Sequence, residues 1–250
     1  MDNKLIFLGC LSKKKYPETC KNAIHLIQEM DPEYRVIEDA PCCGSVTHHV
    51  GVNKHLQKHE QYVFEWLKDN NINKLVTICA GCYNYFMNEY PKRVPEFDIQ
   101  VRHLLQFLNE PENLTKLNLS YSGKRLKIAY HDSCHLIRAD PPIIEEPREI
   151  LNSIQGKIKL KEMENNKEFS LCCGAGGGVY SSFKENADFN SKSIFQQAKR
   201  QRAKVLLTPC PFCYTALKRV KELDQKIKMP LFKFEDFLTK LKVGEEILNE

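Results

Sequence analysis

Eleven cysteines in 250 residues carry the chemistry of this sequence, and ten of them form two sets with nearly one spacing. The first set is Cys10, Cys42, Cys43, Cys79 and Cys82; the second is Cys134, Cys172, Cys173, Cys210 and Cys213; Cys20 stands apart. Corresponding members lie 124 to 131 residues apart. Each adjacent pair is followed by glycine (Gly44, Gly174), and each closing CxxC by tyrosine (Tyr83, Tyr214). Such agreement marks an internal duplication. An odd cysteine count in a chain with no secretion signal argues for metal rather than disulfides.

Structural zinc takes four ligands, usually from two close Cys/His pairs. One CxxC per set, with a neighbouring Cys-Cys and a distant cysteine, fits that poorly. A cubane cluster also takes four cysteines, part of them from a closely spaced ferredoxin-type run, and no such run is present. With five thiolates per set, either one is spare or the cluster is not a cubane. Two iron–sulfur clusters of unusual kind are therefore expected, with zinc at one site as the minor alternative.

The hydrophobic pattern places these cysteines on an α/β scaffold. In the first half, strands are predicted at Lys4–Leu8, Tyr34–Glu38 and Leu75–Ile78, and helices at Thr19–Met30, Lys54–Asp69 and after Cys82. The second half repeats the order, with strands at Leu126–His131, Ile158–Met163 and Val205–Thr208 and helices at Pro147–Ile154 and Asn186–Arg202. Strands alternating with helices imply parallel sheets, whose strand C-terminal ends gather ligands. All three cysteine groups of each half fall at such ends. The polar stretches Pro91–Asp98 and Glu110–Gly123 read as the connection between halves, giving domains 1–122 and 123–250.

Composition narrows the function further. Apolar residues are 42% of the chain, enough for a core, but runs such as Leu5 to Leu11 fall far short of the roughly 20 residues of a membrane span. Lys and Arg number 37 against 32 Asp and Glu, too mild a surplus to imply nucleic acid. The N-terminus reads as a strand rather than a signal peptide, so a cytoplasmic location is expected, peripheral to a membrane complex through partners. No dinucleotide-binding GxGxxG unit and no ferredoxin motif are present, so electrons must arrive from another chain.

The pattern C-x(31–39)-CC-x(35–36)-CxxC, met by both halves, resembles the cysteine-rich CCG-domain family. FLGC (Phe7 to Cys10) and ICAGCY (Ile78 to Tyr83) are most similar to the heterodisulfide reductase B subunits within it, while HDSCHLIR and LCCGAGGGV also look like the D subunits and anaerobic glycerol-3-phosphate dehydrogenases. The resemblance implies two tandem pseudo-symmetric CCG domains, each a small, mainly parallel sheet flanked by helices. It implies that Cys10, Cys42, Cys43, Cys79 and Cys82 ligate one noncubane [4Fe-4S] cluster, and Cys134, Cys172, Cys173, Cys210 and Cys213 another. The activity implied is reduction of a small disulfide, such as that of coenzyme M and coenzyme B. Its partners would be a ferredoxin-like (C-like) subunit and a flavin-containing (A-like) subunit. An electron-relay subunit of a lactate, glycerol-3-phosphate or succinate dehydrogenase, and a zinc-stabilised scaffold, stay open as alternatives.

Other residues carry weaker signals. His48 and His49 follow Cys43 closely enough to deliver a proton to a product thiolate, though loop surface is the commoner role for such residues. His131 and His135 flank Cys134 as zinc ligands, proton donors or, by expectation, supporting residues. Gly174 to Gly178 reads as a tight turn near cluster sulfurs, ahead of a phosphate nest. Lys13 to Lys15 is a solvated face, or else a dock for an acidic partner. Arg138 and Arg148 are free to pair with an anionic substrate group, and Cys20 is expected in the core.

Overall fold

The computed structural model describes residues 3–52 and 54–248. The first half runs β1 (Asn3–Phe7), α1 (Cys10–Lys15), α2 (Pro17–Met30), β2 (Tyr34–Arg35), α3 (Ser45–His49), α4 (Leu56–Asp69), β3 (Ile72–Thr77), α5 (Ala80–Asn88), α6 (Tyr90–Arg93), β4 (Gln100–His103), α7 (Leu104–Leu108) and α8 (Pro111–Leu117). The second runs β5 (Ser120–Tyr130), α9 (Cys134–Ile137), α10 (Glu146–Ser153), β6 (Gln155–Leu160), α11 (Val179–Ser182), α12 (Lys184–Arg200), β7 (Val205–Thr208), α13 (Pro211–Leu223), β8 (Leu231–Lys233) and α14 (Phe234–Val243). Each half builds a four-stranded sheet, ordered β2-β1-β3-β4 and β6-β5-β7-β8, and every pairing is parallel. The duplication read from the cysteines is therefore a duplication of topology.

Local sequence explains the elements. In α2, Pro17 sits where its missing N–H costs nothing, and Ala23, Leu26, Ile27 and Met30 recur at helical spacing and are buried. Central strands β3 and β7 are buried along most of their length, as continuous apolar runs in a two-sided sheet should be. In α5, Tyr83, Tyr85 and Phe86 are wholly buried. Full burial of a side chain such as Phe86 stabilises by about 1.5–3 kcal/mol.

Several expectations are corrected. β2 pairs only through Tyr34 and Arg35, because it is an edge strand whose continuation turns away from β1. The fourth strands, β4 and β8, were not anticipated; at four and three residues they are too short to show a pattern. The polar stretches are not linkers: Pro91 and Pro111 stand in the first turns of α6 and α8, where proline is tolerated. The division expected between residues 122 and 123 falls inside β5, where the register against β6 shifts between Tyr121 and Leu126.

The halves pack through one continuous core, in reciprocal pairs of elements. Helix α14 lies on α2, and its first-half equivalent α7 lies on α10, the equivalent of α2. At the first contact Thr19 Oγ1 and Asn22 Nδ2 both donate to Asp236, each at 2.8 Å. At the second, Asn109 donates to Glu149. Helix α5 meets α9 and α13 meets α1 in the same reciprocal sense. Each CxxC helix therefore abuts the short helix that the other half's first cysteine opens. None of the described helices is long and apolar enough to cross a membrane.

Candidate metal centre

Three loops at the C-terminal edge of each sheet deliver the cysteines. Cys10 and Cys134 open α1 and α9 just beyond the first strands; Cys79 and Cys210 cap α5 and α13 just beyond the third. The Cys-Cys turns precede α3 and α11. In the first half the sulfurs form a run of contacts in the order Cys10, Cys42, Cys43, Cys82, Cys79; in the second the order is Cys134, Cys172, Cys173, Cys213, Cys210. The two runs are the same under the duplication. Cys10 and Cys42 Sγ are 3.8 Å apart, Cys43 and Cys82 3.2 Å, and Cys173 and Cys213 3.1 Å. These are thiols in contact, well beyond the roughly 2.05 Å of a disulfide.

The electrostatics repeat as well. Contact with Cys10 and Cys43, together with the Gly44 N–H at 3.5 Å, pushes the Cys42 thiol down to about 2. Contact with Cys134 and Cys173 and the Gly174 N–H at 3.4 Å does the same to Cys172, also to about 2. Their neighbours Cys10 and Cys134 shift upward as the donors of those contacts. Cys42 and Cys172 are exposed, whereas Cys43, Cys79, Cys82, Cys173, Cys210 and Cys213 are buried. Six buried sulfurs have mainly one another for polar company. That is the chemistry of a donor set for soft metal, and five thiolates on one face of each half fit an iron–sulfur group.

A pocket lies over the first set and is closed by the second half. Its lining includes Leu11, His49, His135, Gly177 and Phe212 beside the five cysteines. His135 follows Cys134 and lies against Gly81, inside the first CxxC, where an added Cβ would stand 3.4 Å from its Nδ1. The rings of His135 and His49 are 5.1 Å apart. Burial, followed by the neighbouring His49, pushes His135 down to about 4.

The candidate histidines therefore divide. His49 lines the pocket, and its Nδ1 donates to the Ser45 carbonyl at 2.6 Å, leaving Nε2 as the basic nitrogen. His48 is turned away from the cysteines, 3.1 Å from Arg93 and 3.9 Å from Glu89. Arg148 is not free for an anion: it is 4% exposed and bound by Asp132 and Glu162. Cys20 is buried in the core, which raises its thiol to about 11. His131, read from the sequence as a supporting residue ahead of a zinc ligand or proton donor, is 1% exposed with both ring nitrogens unpartnered among the described residues. Setting the halves side by side, with His131 against Phe7, gives the sequence signal that singles it out.

A family model described as Cysteine-rich domain (CCG) matches residues 5–87 and again 128–218. The D subunit of the dihydromethanophenazine:CoB–CoM heterodisulfide reductase of Methanosarcina acetivorans is 33% identical, over 84% of this chain and 52% of that one. An uncharacterized iron-sulfur protein of Methanococcus maripaludis is 32% identical, over 94% of this chain and 46% of that one. An EtfAB:quinone oxidoreductase of Syntrophomonas wolfei is 26% identical, over 85% of this chain and 30% of that one. The chain spans about half the length of the first two of these relatives, or less. The Methanosarcina relatives are D subunits, in agreement with the HDSCHLIR and LCCGAGGGV segments, whereas the expectation named the B subunits first.

Proposed function

From the premise that the chain belongs to the CCG cysteine-rich domain family and carries the domain twice, we propose that it is an iron–sulfur oxidoreductase subunit that reduces a disulfide. The observation that carries this reading is the pair of matching five-sulfur runs, packed so that each CxxC helix meets the helix opened by the other half's first cysteine. Cys10, Cys42, Cys43, Cys79 and Cys82 would hold one cluster and Cys134, Cys172, Cys173, Cys210 and Cys213 the other. Five thiolates per site favour a noncubane [4Fe-4S] form. When bound, the two clusters supply two single electrons from neighbouring positions, the number a disulfide needs.

The chain's own residues handle the rest. Cleaving R–S–S–R′ with two electrons and two protons gives two thiols, so a proton source must face the pocket. His49 lines it, and with Nδ1–H held by the Ser45 carbonyl it would deliver a proton from Nε2 after taking one up there. Phe212, Leu11 and Val46 line the same pocket with apolar surface that excludes water. In this reading electrons come from partner subunits, a ferredoxin-like iron–sulfur protein and a flavin-containing one, in keeping with the subunit names of the relatives. The substrate class is a small disulfide of the CoM-S-S-CoB type, in keeping with the name of the Methanosarcina relative.

The test is iron, acid-labile sulfide and zinc per chain on protein purified without oxygen, followed by electron paramagnetic resonance with thiol and oxidant. About eight irons and a thiol-dependent signal are expected. About four irons with zinc, or no response to thiol, favours a relay that passes electrons to a quinone. The likeness to an EtfAB:quinone oxidoreductase supports that second reading.

A further inference from the structure

The two sites share a scaffold but not a lining. The three residues before the first cysteine are Phe7-Leu8-Gly9 in the first half and His131-Asp132-Ser133 in the second. Both triplets leave the first strand of their sheet at the same place. Phe7 pairs with Thr77 of β3, and the His131 N–H reaches the Leu207 carbonyl, one residue before Thr208 of β7. Phe7 sets its ring edge-on to Phe86 at 5.2 Å. Gly9, at φ 76°, has no side chain, and a Cβ there would come within 3.3 Å of Cys82 Sγ. In the second half the same place holds an imidazole, and Ser133 puts a hydroxyl 4.0 Å from Cys213 Sγ.

The imidazole of His131 is aimed at the sulfurs. One of its ring nitrogens and the Sγ atoms of Cys173 and Cys213 all lie within 4.8 Å of one another. The ring is 1% exposed, and neither nitrogen finds a hydrogen-bond partner among the described residues. Leaving one buried polar group unpaired costs about 1–3 kcal/mol. A cluster sulfur held beside Cys173 and Cys213 would supply the partner that removes this cost.

We propose that His131 donates a hydrogen bond to the iron–sulfur group of the second half and makes it the easier of the two to reduce. This rests on the iron–sulfur reading above. An N–H directed at a cluster sulfur stabilises the added negative charge of the reduced state, and such bonds are among the factors that set cluster potentials. The first site, with a phenyl ring and a glycine at the matching positions, has no such donors there. Electrons entering the pair would therefore settle first in the second half, and the first-half cluster would be the stronger reductant. His131 acts here through the cluster, as a positioning and tuning residue.

The experiment compares the full chain, reconstituted without oxygen, as wild type, His131→Phe, His131→Gln and Phe7→His. Iron and sulfide per chain are measured first, then reduction is followed by electron paramagnetic resonance against potential. Two transitions are expected in the wild type. His131→Phe should lower only the upper one, by about a tenfold change in the reduction equilibrium, ~59 mV for one electron. His131→Gln keeps an N–H and should largely retain the wild-type value, while Phe7→His should raise the lower transition. Unmoved transitions at full iron content overturn the proposal, as does loss of half the iron in His131→Phe, which would make His131 a ligand. Wild-type protein that binds no iron and sulfide removes the underlying reading instead, and with it this inference. Should His131→Phe not fold, Phe7→His and His131→Gln decide the matter.

Discussion

Arg148 and Asp132 form a two-armed ion pair inside the second half, with Nη1 to Oδ1 at 2.8 Å and Nη2 to Oδ2 at 2.9 Å. Asp132 stands two residues before Cys134, and its carbonyl accepts the Ser170 hydroxyl two residues before Cys172. The pair therefore braces two of the three cysteine loops at once. Leu8 occupies the matching place in the first half.

Removal of one member leaves a buried charge. Arg148→Met should cost about 3–5 kcal/mol of folding stability. Chemical unfolding measures the loss. Iron per chain, assayed below the unfolding transition, should show the second site emptied before the first. Equal loss from both sites would mean that the brace has no local role.

The two sulfur runs are built by separate sheets, so their occupancies should separate. Cys42→Ser and Cys172→Ser should each remove about half of the bound iron, whereas Cys20→Ala, in the first turn of α2 and buried in the core, should remove none. Metal analysis with resonance spectra of each variant is sufficient. Complete loss in both serine variants would show that neither half fills alone.

Gly174 follows the second Cys-Cys pair with φ at 78°, a region that side chains rarely enter. A Cβ there would also stand 2.7 Å from the Ala187 Cα on α12. Backbone atoms cannot rotate aside, so Gly174→Ala should destabilise by roughly 1–3 kcal/mol and loosen the Cys172–Cys173 turn. Thermal unfolding and thiol accessibility to an alkylating reagent read the two effects. An unchanged melting temperature would contradict them.

His103 caps α7, accepting the Leu105 N–H at Nδ1, and burial followed by the nearby Lys233 pushes it down to about 3. The unfolded chain takes up that proton near pH 6.5 while the folded chain refuses it. Stability is therefore complete above about pH 6.5 and falls as pH drops towards 3, by up to ~1.4 kcal/mol per unit for each such group. In metal-free protein His131 and His135, held near 4 by burial, add to the same slope. Urea midpoints at pH 7 and pH 5 should differ less in His103→Asn, which keeps a capping oxygen, than in the wild type. Parallel shifts in the two proteins would count against this assignment.

Much of the molecule is legible along the chain because its signals are local. Cysteine spacing reveals the duplication, and apolar runs such as Leu75–Ile78 mark buried strands whose ends carry ligands. The β4 and β8 strands, QVRH and LFK, are invisible because a parallel edge partner needs only a few residues, chosen by their neighbour rather than by any pattern of their own. Tertiary packing alone sets α14 on α2 and α7 on α10, and sends the His135 ring beside Gly81. It also separates His49, which faces the cysteines, from His48 beside it, because one turn of α3 sends adjacent side chains in different directions. The sequence determined which residues could bind metal and that they come in two copies. Only folding decided that the copies face one another and that the His131 ring lies beside the sulfurs of Cys173 and Cys213, since both depend on contacts between residues far apart along the chain.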